Sequence, residues 1–355
     1  MIVSIIIPAY NTALYIGRCL DSVCMQTYKD IEIIVIDDAS TDNTLSIINQ
    51  YAKRDKRIKI IHHSENRGNG IGRNTAIKQS HGEYVMFVDS DDEIVENCVE
   101  KLVAKLNGEE YDFVVYGYQK VLLAKCHNKR KYSNKILPTI TGLEEHDELL
   151  HNFLVFGKNV KMAPWLYFCR REFLFHNQIW FDDSGHYFED IIFTTKLFFY
   201  AHKIKVLSEV LYYYTIRHSS IMNSYSRKKI EDRIYAFNSV RDFLKQKNVF
   251  VRHKEAYTYF FVHSVFLVSF FDMLKMQHID NDVYKFMNAF AKSAIISNFH
   301  KFDIETLKIG TDNHNWSYIT KVSNIIYFIS HHFSFSVKYY RFCFKMKKLL
   351  SLYRI

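Results

Sequence analysis

Short apolar runs alternate with amphipathic stretches through the first 120 residues, the pattern of a sheet assembled from βαβ units. It predicts strands at Val3 to Pro8, Ile31 to Asp37, Ile58 to His62 and Tyr84 to Val88, with a further strand at Asp112 to Tyr118. Helical spacing covers Leu14 to Gln26, Thr41 to Tyr51 and about Ile71 to Gln79, and another helix is expected after Asp92. Polar residues follow the carboxyl ends of these strands, where open α/β sheets bind ligands. From about 120 to 160 the periodicity fades into a charged stretch, and after about residue 225 it is mainly helical. The expected fold class is therefore α/β, a Rossmann-like central sheet flanked by helices, with a soft boundary near Asn223 and a helical C-terminal region.

Composition sharpens the second half more than the first. The chain of 355 residues exceeds the usual single-domain size, and 48% hydrophobic with 24% charged residues argues against disorder. Its 29 Phe and 25 Tyr concentrate after about residue 150, and only 11 Gly and 3 Pro interrupt it, so long helices are expected there. Cys19, Cys24, Cys98, Cys126, Cys169 and Cys343 are scattered without ligand spacing, which indicates neither a disulfide framework nor a zinc site. Met1 to Ile7 runs straight into a strand and lacks the charged start of a signal peptide, so a cytoplasmic location is expected. Tyr257 to Phe271, the most apolar stretch, is short for a membrane span and carries His263 and Ser264; a buried helix is expected.

A net charge of +9 raises nucleic-acid binding, but the excess is uneven. Lys338 to Ile355 holds Lys338, Arg341, Lys345, Lys347, Lys348 and Arg354 without an acid, mixed with Tyr339, Tyr340, Phe342, Phe344, Leu349, Leu350 and Leu352. That mixture suits contact with an anionic membrane surface, at the inner face of the cell membrane; the alternative is a basic tail packed on its own domain by its aromatics.

The chemistry-bearing residues sit at the predicted strand ends. Strand one closes on Pro8, Ala9, Tyr10 and Asn11, and strand two on Asp37 and Asp38 followed by Ser40 and Asp42. Adjacent carboxylates there suit a nucleoside, whose N–H and O–H groups an ionised Asp accepts, while Ser40 and Asp42 read as helix caps. The run Asn66 to Asn74 has GxGxG spacing after the third strand, the wrong place for a dinucleotide loop; its glycines with Arg67 and Arg73 still suit an anionic nucleotide. Tyr84 to Val88 runs directly into Asp89, Ser90, Asp91 and Asp92. Three carboxylates so close repel one another unless a cation compensates, and oxygen-only ligands suit Mg²⁺ or Mn²⁺ with positions open for a diphosphate.

In this order and spacing, IIIPAYN, IDDASTDNT, NRGNGIGRN and GEYVMFVDSDD resemble the family-2 glycosyltransferases of the GT-A fold. The resemblance implies an inverting transfer from a UDP-sugar in bacterial surface polysaccharide or lipooligosaccharide synthesis. It implies a catalytic domain over 1–223, with a nucleotide-binding half at 1–120 and an acceptor and catalytic half at 121–223, followed by the helical region 224–355. By the same resemblance Asp38 contacts the uracil, Arg73 lies in the nucleotide site, and Asp89 and Asp91 hold the ribose or the metal and diphosphate. Pro8, Tyr10, Asn11, Asn66 and Ser90 are expected to complete the nucleotide-sugar site.

Downstream, Trp180, Phe181 and then Tyr187 to Phe193 are similar to the family segment that supplies the catalytic base, which implies Asp190, with Glu189 as the second choice. Tyr212 to Ile221 resembles a mobile segment that closes over the diphosphate. Arg217 and Ser220 match it, whereas Thr215 stands where arginine is common. His218 is a candidate metal or phosphate ligand, or a structural histidine. Trp165 matches a tryptophan near the sugar pocket, and Leu166 and Tyr167 depart from the usual Asn-Lys, so the resemblance leaves the donor sugar open.

The leading reading is thus transfer of a hexose or N-acetylhexosamine from a UDP-sugar to a glycan acceptor, lipid-linked ones included, with Mn²⁺ or Mg²⁺. A sugar nucleotidyltransferase shares strand-end acids and Mg²⁺ but requires a basic glycine loop after strand one that is missing here. A nucleic-acid or membrane-binding module leaves the acidic cluster unexplained.

Overall fold

The computed structural model describes residues 1–123, 130–138, 150, 153–154, 162–217, 226–275, 279, 281–293, 296, 325, 329, 331–334 and 336–340. Two compact units emerge, Met1–Ser220 and Ile221–Ile355.

The first unit is built on a nine-stranded mixed sheet, counted among the described residues. Its strands are β1 (Val3–Ala9), β2 (Ile31–Asp37), β3 (Ile58–His62), β4 (Tyr84–Phe87), β5 (Glu93–Ile94), β6 (Phe113–Leu123), β7 (Arg130–Ile136), β8 (Tyr167–Arg170) and β9 (Ile204–Ile216). They lie in the order β3-β2-β1-β4-β8-β6-β9-β5, with β7 paired to β6 outside this path. The first four are parallel; β8 then runs antiparallel to both β4 and β6. Every residue of β1 and β2 is buried, which is why both read as unbroken apolar runs rather than alternating ones.

Helices α1 (Ile16–Cys24), α2 (Thr44–Arg54) and α3 (Asn69–Gln79) connect the parallel strands, and α4 (Cys98–Leu106) follows β5. In α1, Ile16, Cys19, Leu20 and Val23 are buried at the spacing of one helical face. The helix starts later than its apolar pattern because Leu14 is 85% exposed. The helix expected directly after Asp92 is preceded by β5, whose Glu93 and Ile94 pair with Tyr213 and Tyr212 of β9.

Beyond β8 come α5 (Arg171–His176) and α6 (Asp190–Tyr200). The sheet edge far from the strand carboxyl ends is pinned by Glu32, which accepts from Ser4 Oγ at 2.6 Å and Lys59 Nζ at 2.8 Å. Burial alone would raise the Glu32 carboxyl; these bonds and the His81 N–H bring it down to about 2.

The second unit is helical in its described elements: α7 (Arg227–Gln246), α8 (Lys254–Phe261), a π-helical turn (Val262–Leu267), α9 (Val268–Lys275) and α10 (Asn281–Ala291). Ser226 caps α7 by accepting from the Lys229 N–H at 3.2 Å. Lys254–Leu274 forms a continuous 21-residue helix long and apolar enough to cross a membrane, yet 67% of its most apolar window is buried inside the chain. Phe260 and Phe261 pack on Phe237 of α7, and Tyr257 donates to the Phe237 carbonyl at 3.0 Å, as in a core helix. Tyr340, at the start of the basic tail, packs edge-on against Phe270 and Phe271, while Tyr339 stays 50% exposed.

Candidate active site

The strand order reverses between β1 and β4, so their carboxyl ends leave a crevice. In register, Ala9 stands beside Asp37, and Ile6 beside Phe87. The parallel alignment therefore collects Pro8 to Asn11, Asp37 to Asp42 and Asp89 to Asp92 at one end of the sheet.

The first two of these loops are laced together. Asn11 Oδ1 accepts from the Thr41 N–H at 2.8 Å, and the Asn11 N–H donates to Ser40 Oγ at 3.0 Å. Asp42 accepts from the Thr44 N–H at 2.9 Å at the start of α2, and from the Ala13 N–H at 3.1 Å. Asp42 thus serves the helix start as expected, whereas Ser40 joins loops instead of capping. Asn11 and Ala39 both adopt left-handed backbone, with φ of 51° and 60°, a strain that fixed loops at functional sites store. Tyr10 stands 41% exposed beside them.

Asp37 and Asp38 meet two consecutive histidines at the end of β3. His62 Nδ1 lies 2.9 Å from Asp37 and His63 Nδ1 2.7 Å from Asp38. Asp38 also accepts the Arg67 N–H at 3.0 Å and the Gly68 N–H at 2.8 Å, which closes the glycine loop onto it. Gly68 has φ of 85°, a conformation that requires glycine there. Asn66 and Arg67 remain exposed on that loop.

Helix α3 is the rail that carries the two halves of the site. The buried Arg73 donates to Asp89 Oδ1 at 2.8 Å and to Glu189 Oε1 at 2.8 Å, and lies over the Phe181 ring. Burial alone would lower its guanidinium; Asp89 and Glu189 more than offset this and raise it. Asn74 clamps Phe181 through both backbone groups, at 3.0 and 2.9 Å. At Gly70 an added Cβ would collide with the Asp182 carbonyl oxygen and press on Glu189 Cβ at 3.2 Å. Gly70→Ala is accordingly expected to cost about 1–3 kcal/mol, seen in a thermal melt, because backbone and not a flexible side chain must yield.

The acidic cluster divides its labour. Asp92 is buried and tied to β9: it accepts from Tyr212 Oη at 2.8 Å and the Thr215 N–H at 2.7 Å. Tyr212 Oη also accepts the Asp89 N–H at 3.1 Å, and its ring stacks on Trp165 with centroids 4.4 Å apart. Asp91 pairs with Arg217 at 2.5 Å. Ser90 is buried between them in sequence. Burial and then Asp89 raise the Asp91 carboxyl; burial and then Asp91 raise Asp92 further. Part of the compensation assigned to a metal on sequence grounds is thus supplied by Arg73, Arg217 and β9.

A Mg²⁺-type ion still fits the donor set, since it needs one or two carboxylates plus phosphate oxygens, and Asp89 and Asp91 each meet an arginine through one oxygen. Among the described residues no group of three or more His, Cys, Asp or Glu has metal-binding geometry. Tyr212 to Ile216, expected in a mobile segment, lie in β9, held by β6 and β5. His218 and Ser220 lie outside the described residues.

Glu189 and Asp190 open helix α6 and differ sharply. Glu189 is engaged by Arg73, whereas no other described residue donates a hydrogen bond to the Asp190 side chain. Burial, and next the neighbouring Glu189, push the Asp190 carboxyl well above the ordinary range. Phe188, immediately before them, has φ of 73°, costly for an aromatic residue and placed where the turn into the pair is made.

Sequence reading missed the Arg73 bridge, the clamp of Asn74, the His63 contact and the Tyr212 link. Each joins segments far apart in the chain, and only the histidine pair at the end of β3, opposite the aspartate pair at the end of β2, left a local signal.

The sequence model of Glycosyl transferase family 2 matches residues 4–163. The chain is 32% identical over 251 residues to an uncharacterized glycosyltransferase, EpsJ, of Bacillus subtilis (strain 168), covering 67% of this chain and 70% of that one. It is 30% identical over 275 residues to the cholesterol galactosyltransferase of Borreliella burgdorferi, covering 76% and 74%. Among solved structures it resembles Staphylococcus aureus TarS 1–349 in complex with UDP-GlcNAc, with TM-score 0.63, 24% identity and coverage of 93% of this chain and 89% of that one. With its mixed sheet of the GT-A type and its strand-end acids, the chain belongs to glycosyltransferase family 2 and is a glycosyltransferase.

Proposed function

We propose that the chain transfers a hexose or N-acetylhexosamine from a UDP-sugar to a hydroxyl of a glycan acceptor, with inversion at the anomeric carbon. The observation that carries this reading is the chain Asp89, Arg73, Glu189 with its neighbour Asp190, which joins the acids of the nucleotide crevice to a carboxyl raised by burial and by Glu189 that takes no side-chain hydrogen bond from another described residue. The UDP-GlcNAc held by the TarS structure supports the choice of donor.

In this reading Asp38 accepts from the base, and Pro8, Tyr10, Asn11 and Asn66 border the nucleoside. Asp89 and Asp91 hold Mn²⁺ or Mg²⁺, which when bound neutralises charge on the departing diphosphate. Arg217 is the cation for the diphosphate, Ser220 and His218, outside the described residues, are candidates for further contacts to it or to the metal, and Trp165 backs the sugar pocket. Asp190 takes the proton of the acceptor hydroxyl as its oxygen attacks the anomeric carbon, and the bond to UDP breaks on the opposite face. The basic tail places the enzyme against an anionic membrane, where polysaccharide or lipooligosaccharide acceptors are carried. The family membership removes the nucleotidyltransferase alternative.

A UDP-sugar panel read by UDP release, with and without glycan acceptors, tests the reading. Turnover is expected with one UDP-sugar in Mn²⁺ or Mg²⁺ and is expected to vanish in EDTA. Turnover undiminished by EDTA overturns the roles given to Asp89 and Asp91.

A further inference from the structure

We propose that His63 is a positioning residue for nucleobase recognition, orienting the Asp38 carboxylate so that it offers one open acceptor to an imide N–H. The inference rests on the reading of Asp38 as the base-binding residue and adds how that residue becomes selective.

His63 and Asp38 are both buried, with side chains 7% and 5% exposed. The His63 N–H donates to the Asp37 carbonyl at 3.0 Å, which fixes the ring's point of attachment. Its Nδ1 lies 2.7 Å from Asp38 Oδ1, and an ionised carboxylate only accepts, so Nδ1 carries the proton. Nε2 is buried and has no partner among the described residues. The polar contact this buried ring makes is therefore directed at Asp38, and a histidine kept for packing alone would be better replaced by an apolar side chain.

Asp38 has about four lone-pair sites, and three are taken. Oδ1 accepts from His63 and the Arg67 N–H, and Oδ2 accepts from the Gly68 N–H. One site on Oδ2 remains. A uracil presents a single imide N–H to such a site, whereas cytosine presents an acceptor at the same ring position and is repelled. Without His63 the carboxylate keeps two backbone donors, yet loses the side-chain donor that sets its rotation.

The test measures equilibrium binding of UDP and CDP to the full chain and to Asp38→Ala, His63→Leu and His63→Asn. Asp38→Ala is expected to abolish the preference for UDP. For His63→Leu we expect UDP binding roughly tenfold weaker, with the UDP-to-CDP preference falling by about the same factor, the effect of one charge-assisted hydrogen bond. His63→Asn, whose amide N–H can stand near the Nδ1 position, is expected to recover most of that preference. A preference unchanged in His63→Leu but lost in Asp38→Ala overturns the positioning role and leaves the base-binding reading intact. A preference unchanged in Asp38→Ala overturns both. Should His63→Leu fail to fold, His63→Gln replaces it, since its amide reaches the Nε2 position and should behave as a loss of the donor.

Discussion

Asp190→Asn is expected to lower turnover by roughly 10²–10⁴, the range for removal of a general base, with the affinity for UDP changed by about twofold or less. The split follows from geometry. Asp190 makes no side-chain hydrogen bond to another described residue, whereas Arg73 donates directly to both Asp89 and Glu189, so the link to the nucleotide crevice does not run through the Asp190 side chain. Glu189→Gln should behave differently: it leaves the buried Arg73 with one carboxylate partner, so donor affinity and turnover fall together. Single-turnover rates alongside UDP titrations distinguish the two. Full activity in Asp190→Asn with loss in Glu189→Gln would transfer the role of base.

The pH dependence has a definite sign. Because burial and Glu189 raise the Asp190 carboxyl, the acid limb of kcat/KM should lie above the ordinary carboxylate range, activity falling as pH drops through the raised value. For stability the same shift acts in the opposite sense. A carboxyl raised in the folded state costs nothing while protonated in both states, and costs stability once pH rises past its ordinary value and then past its folded value. Asp190→Asn should therefore melt higher than the parent at neutral pH, and this gain should shrink toward acid pH.

The parallel half of the sheet was legible because β1, β2 and β4 are buried on both faces and leave unbroken apolar runs, and because acids sit at or within two residues of the ends of β2 and β4. Legibility ended where the partner is remote. Nothing near Glu93 announces a strand, since β5 exists by pairing with Tyr212 and Tyr213. Likewise Arg73 reads locally as a phosphate-facing cation after a glycine loop. Its burial between Asp89 and Glu189 depends on Gly70 and Asn74 docking the Phe181 to Asp190 segment onto α3. The acidic cluster read as one metal site for the same reason: alternation along an extended chain does not reveal that Asp92 turns into β9.

That division of the cluster yields the second large effect. Asp91→Asn is expected to abolish stimulation by Mn²⁺ or Mg²⁺ and to reduce turnover by roughly 10²–10³, the scale for losing one preorganised electrostatic contact to a developing charge. Asp92→Asn is expected to keep the stimulation, because both Asp92 oxygens already serve Tyr212 and Thr215. Stability should separate the variants as well. The raised Asp91 carboxyl records burial and then repulsion from Asp89 that Arg217 only partly offsets, so neutralising it should raise the melting temperature at neutral pH. A gain in stability accompanied by loss of metal response would mark the Asp91 charge as held for the donor diphosphate and its ion. Full Mn²⁺ stimulation in Asp91→Asn would instead remove Asp91 from the metal site and leave its charge to the pair with Arg217.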